Sequence, residues 1–158
     1  MRTMRKPALI ALATASAMLI GCGGGGDDDD LQAADKYAGI WDIPCASVGG
    51  QSGNATIVLN KTGTNTLTGT STLRIFSNPA CSGAPAQTQD FPASVTIDGT
   101  GSASGRTVDK VTEASLGETI KDIFLVEGNR LYSSPEDAPV DAQGYPTMLD
   151  LSNGAVRR

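Results

Sequence analysis

The chain is 158 residues long, enough for one folded domain, and is 39% hydrophobic, 4% aromatic and 18% charged, with no histidine and a formal net charge of −5. The acidic balance excludes a basic nucleic-acid footprint. The missing histidine removes the commonest metal ligand and the usual general base.

Arg2, Arg5 and Lys6 make a short positive start, followed from Pro7 to Ile20 by an uncharged run of Ala, Leu and Ile. That run is about 14 residues, against the roughly 20 that a membrane-spanning helix needs. A positive start, a short apolar middle and small residues after it predict a secretory signal peptide over residues 1–21. Leu19-Ile20-Gly21-Cys22 then resembles the lipobox of bacterial lipoproteins. The resemblance implies cleavage before Cys22 and acylation of its thiol and new amino terminus. It also implies an outer-membrane location, because Gly23 rather than Asp follows the lipidated residue. Several acyl chains hold a protein on a bilayer, where one alone is marginal. Gly23–Gly26 and Asp27–Asp30 lack a packing surface and repel one another, so residues 22–34 read as the lipidated Cys22 and a hydrated tether. Losing Arg2, Arg5 and Lys6 with the leader leaves nine basic against 17 acidic residues, a formal −8. Such a domain is repelled by anionic headgroups and by DNA, so the expected membrane contact is the lipid anchor and no nucleic-acid partner is expected.

Beyond Cys22 only Cys45 and Cys81 remain, and in an oxidising compartment two thiols are most simply one disulfide. A loop of about 37 residues closed in this way stabilises by roughly 3–4 kcal/mol on the chain-entropy model. The spacing is too wide for a redox Cys-x-x-Cys pair, and without histidine neither a zinc site nor a Cys–His nucleophile can be assembled.

Residues 35–158 are rich in Thr, Ser and Gly, with turn signals every 8–12 residues, which predicts a single all-β domain of about seven or eight strands. Tyr37–Ile43 reads as the first strand and Ala55–Asn60 as the second. Asn65–Phe76 is the third, with Leu67, Gly69, Ser71, Leu73 and Ile75 on one face and threonines on the other. Phe91–Asp98 follows, with Asp98-Gly99 as a turn signal, then Arg106–Thr112, while Val108–Leu116 has room for one helical turn. Glu118–Val126 is the most apolar stretch, and Gly128-Asn129 before Leu131-Tyr132 is a two-residue hairpin signal. Ser133–Pro146 reads as a proline-rich loop and Thr147–Leu151 as a short last strand.

Within the first strand, Gly39-Ile40-Trp41 resembles the Gly-x-Trp of lipocalins and related calycin barrels. The resemblance implies a small antiparallel barrel, rather than the alternative β-sandwich, with Trp41 closing one end under a late arginine. Arg130 and Arg157 both qualify for that cover, and nothing in the sequence chooses between them.

Acidic side chains invite a glycosidase reading, which needs one protonated and one ionised carboxyl. Asp42, Asp90, Glu113, Glu118, Asp122 and the Glu136-Asp137-Asp141 loop are the candidates, and none stands in a recognisable catalytic context. The loop also lacks the regularly alternating oxygens of a calcium site. No Gly-x-Ser-x-Gly, Ser-x-x-Lys or P-loop pattern is present. The sequence therefore predicts no enzyme, no metal and no cofactor. It predicts a lipid-anchored envelope lipoprotein acting by contact with another protein or the cell wall, with carriage of a small molecule or lipid in a barrel interior as the alternative. An interior lined by small apolar residues and left unfilled favours the carrier; a filled one favours the contact role.

Overall fold

A computed structural model describes residues 32–158; Cys22, the leader and most of the tether lie outside the described residues. The described chain forms eight antiparallel strands in sequence order and closes into a barrel, so the sandwich alternative is set aside. The strands are β1 (Gly39–Val48), β2 (Gln51–Lys61), β3 (Thr66–Phe76), β4 (Gln87–Ala103), β5 (Arg106–Ser115), β6 (Glu118–Glu127), β7 (Arg130–Tyr132) and β8 (Ala155–Arg157). No helix is present among the described residues, and Val108–Leu116 is strand β5 and its turn rather than a helical turn.

Alternation places the apolar set inside. Leu67 is fully buried while Thr68 and Thr70 on the opposite face are exposed, as a two-residue period requires. The interior cluster gathers Trp41, Leu59, Leu67, Val95, Ile97, Val111, Phe124, Leu131 and Ala155 from all eight strands. At Gly69 the β2 backbone comes so close that a Cβ would stand 1.7 Å from the Val58 carbonyl oxygen, which leaves room for no other residue.

Two sequence expectations change here. Asp98-Gly99 is a bulge, not a turn: the register shifts between Ile97 and Gly99, and β4 continues to Ala103. The hairpin lies instead at Ser104-Gly105. Thr147–Leu151 is not a strand; β8 comes later, at Ala155–Arg157, and pairs with β1 to close the ring. Leu149 joins Tyr145, Val108, Ile123 and Ala103 in a second small core on the outside of the barrel, where the proline-rich segment folds back over β5 and β6. Those residues are apolar because they are covered, which mimics a strand pattern. The β6–β7 hairpin is as expected, with Glu127 paired to Arg130 around Gly128, whose φ of 60° suits glycine.

The ring is complete at only one end. β8 pairs with β1 only at Trp41 and Asp42, and β7 pairs with β6 only at Leu125–Glu127. The outer halves of β1 and β6 diverge beyond those contacts. Cys45, in that half of β1, is disulfide-bonded to Cys81 in the β3–β4 connection, 36 residues away.

Candidate functional site

The closed end is a floor built from sequence-local pieces. Residues 33–37 turn beneath the barrel and bury Ala34 and Tyr37 completely, so the folded part begins slightly before Asp35. Trp41 is fully buried, and its indole N–H donates to the Tyr37 carbonyl at 2.8 Å. Of the two arginines considered from sequence, Arg157 covers the indole: its guanidinium carbon lies 4.3 Å from the ring centroid. Arg157 also donates to the carbonyls of Ala38, at 3.0 Å, and Lys36, so it ties β8 to the floor turn. Arg130 is exposed and donates to the Gly154 carbonyl instead. Gly39 is required twice over, by its φ of 134° and by Arg157 Nη1, which would stand 3.3 Å from an added Cβ.

One charged group is buried on this floor. Asp109 accepts from the Tyr37 hydroxyl at 2.7 Å and pairs with Lys36 Nζ at 2.7 Å. Burial, together with the Asp109 carboxylate, pushes the Tyr37 phenol far above its ordinary range, so Tyr37 stays a donor.

Above the floor the barrel is not filled. A cavity of about 340 Å³ opens towards the splayed end, with Ile57, Leu59, Phe91, Val95, Phe124 and Leu131 among its walls. Its size falls in the range of small-molecule pockets, about 300–1,000 Å³. Ser71 from β3 and Glu113 from β5 are polar points in the wall, and Glu118 and Ile120 stand at the mouth.

Glu113 faces Asp122, which comes from the adjacent strand β6 and is buried. Asp122 Oδ1 accepts three hydrogen bonds, from Ile123 N at 2.7 Å, Ser134 N at 3.2 Å and Ser134 Oγ at 2.6 Å. Burial first, then the Asp122 charge and the hydrogen bond between the two carboxyls, push Glu113 up to about 7. Among the described residues neither carboxylate forms a salt bridge.

The remaining carboxylates named from sequence are dispersed. Asp42 lies outside the barrel and is held by Arg158 Nε and Nη2 at 2.9 and 2.7 Å. Asp90 accepts from the Thr72 hydroxyl, also outside. Asp141 is spent on its own loop, accepting from Gln143 N and Tyr145 N, and on Lys110 at 2.8 Å. The Lys110 ammonium holds its carboxyl down at about 2. No cluster of three or more potential metal ligands occurs among the described residues. Sequence reasoning had named Glu113 and Asp122 only as two acids in a longer set. Their meeting comes from register: Val111 pairs with Asp122 and Glu113 with Ile120, so both acids point inward on neighbouring strands.

The chain matches no known family model, and no curated protein or solved structure matches it significantly.

Proposed function

We propose that this chain is a lipid-anchored, extracytoplasmic lipoprotein of the bacterial outer membrane whose barrel carries a small, largely apolar ligand. The observation that carries the reading is the open cavity above the Trp41 floor, walled mainly by aliphatic and aromatic side chains. An interior serving only stability is normally packed to crystal-like density, and here the space opens at one end. The positive leader, the lipobox ending in Cys22 and the Gly/Asp tether support the anchor. The Cys45–Cys81 bond is compatible with an oxidising compartment. The floor formed by Gly39, Trp41 and Arg157 supports the resemblance to calycin barrels.

A non-enzymatic contact role is the second reading. It is favoured by the outer half of β1, where Ile43 and Val48 are exposed on a strand edge that β8 does not cover. A hydrolytic role draws no support from the Glu113–Asp122 pair. Glycosidase carboxyls flank the bound sugar from two sides, whereas these two stand beside each other on adjacent strands and only Glu113 lines the cavity.

Mass spectrometry of the purified protein under native and then denaturing conditions tests the carrier. Extra mass that is lost on denaturation supports it; a bare protein that also takes up no apolar probe moves the reading to surface contact. Cys22→Ala is expected to abolish incorporation of radiolabelled palmitate, and labelling that persists refutes the anchor.

A further inference from the structure

The inward-facing acids of this barrel are treated unequally. Asp109, near the floor, has its own cation in Lys36 and a donor in Tyr37. Glu113 and Asp122, higher up, have only each other and the three donors to Asp122 Oδ1. The cavity lining contributed by β2, β3, β4 and β7 carries no charge. From β6, the titratable groups are Asp122 beside Glu113 and Glu118 at the mouth; from β5 itself, Asp109 lies four residues away and is already paired. Every charge facing the cavity is therefore negative among the described residues.

Two carboxyls side by side, Asp122 buried and Glu113 half-buried, are costly unless a cation or a shared proton offsets them. In the empty barrel the proton serves. We propose that in the loaded barrel a ligand cation takes its place: the cavity accepts a small amphiphilic amine, its apolar body against Ile57, Leu59 and Phe91 and its ammonium at Glu113, the member of the Glu113–Asp122 pair that lines the cavity. This rests on the carrier reading and gives it a ligand class. The apolar walls alone would take an alcohol or a fatty acid equally well. An ammonium is distinguished because it lets both carboxyls ionise, supplies donors to Glu113, and is drawn in by Glu118 at the mouth. A carboxylate ligand would add a third negative charge. Binding transfers no group to the ligand: the amine keeps its proton, and the proton held by Glu113 leaves to solvent.

The test is isothermal titration of Gly23–Arg158, the mature chain without its acylation site, with n-decylamine, n-decanol and decanoate. These probes share one apolar body and differ in the head. The amine is expected to bind roughly tenfold or more tighter than the alcohol, as a charge-assisted hydrogen bond does, and decanoate to bind weakest. Glu113→Gln should bring amine and alcohol affinities together. In the unaltered protein, amine affinity should rise roughly thirtyfold from pH 5.5 to 8, because Glu113, at about 7, must lose its proton; alcohol affinity should stay flat. Alcohol binding as tightly as amine, or an amine preference that survives Glu113→Gln, overturns the ligand class and leaves the carrier standing. If none of the three binds, both readings fall. Should Glu113→Gln not fold, a flat pH profile for the amine overturns the inference without it.

Discussion

The two ends of this barrel are closed to different degrees. At the floor, main-chain pairing is continuous around the ring, and Trp41, Tyr37 and Arg157 fill the space between strands and turn. At the mouth, β1 and β6 run past the ends of β8 and β7 with no strand paired between them, and the Cys45–Cys81 bond ties β1 to the β3–β4 connection on its paired side without bridging that gap. The lesson is one of division of labour. The packed end supplies stability, which frees the other end to keep an unfilled interior and unpaired carboxyls. Residues that cost stability tend to sit where function needs them.

The sharpest way to break this comparison is to empty the floor. Trp41→Ala removes the largest fully buried side chain together with its hydrogen bond to Tyr37, and should cost about 3–5 kcal/mol in denaturant unfolding. Phe91→Ala, on the half-buried cavity wall, should cost well under half as much while weakening ligand binding. Equal losses would mean that the mouth is as tightly packed as the floor. Next in size is the disulfide. Cys45→Ser, Cys81→Ser and the double variant should each lower stability by the same amount, about 3–4 kcal/mol on the chain-entropy model, read as thermal melts. Additive losses would contradict a shared bond.

The pH dependence isolates the mouth alone. The Glu113 carboxyl is raised from 4.5 to about 7 in the folded state, so the native protein binds more protons than the unfolded chain between those values. Its contribution is accordingly most favourable below about pH 4.5 and is lost as pH rises towards 7, by on the order of 3 kcal/mol at 1.36 kcal/mol per unit. Glu113→Gln should flatten that fall, giving a variant more stable than the parent at pH 8 but not at pH 4.5. A parallel pair of stability–pH curves would show that the two acids do not meet. The smallest effect expected is at the floor's lid. Arg157→Lys loses the planar stack on Trp41 and one of two carbonyl contacts, and should cost about 1–2 kcal/mol, with Arg130→Lys near zero as its control.

Much of the scaffold was legible in the chain. The alternation in β3, the apolar run of β6 and the Gly128 hairpin are local patterns with local physical causes, namely the two-residue side-chain period and positive φ at glycine. The misreadings have a common origin. Asp98-Gly99 carries turn chemistry, yet pairing with β5 on its far side keeps the strand running, so a bulge forms instead. Thr147–Leu151 alternates as a strand does, but its apolar residues serve the outer core under a loop.

By itself, then, the sequence determined an all-β domain and its one disulfide from two remaining cysteines, because each depends on residue type or near-neighbour spacing, while the place of Gly39 and Trp41 in the floor came from the resemblance to calycin barrels. Tertiary structure decided which arginine covers Trp41, since Arg130 and Arg157 differ only in which strand end closes the ring. It also decided that Glu113 and Asp122 meet in the barrel wall. They stand nine positions apart in the chain, and the register of β5 on β6 turns both to the inner face, where Glu113 lines the cavity.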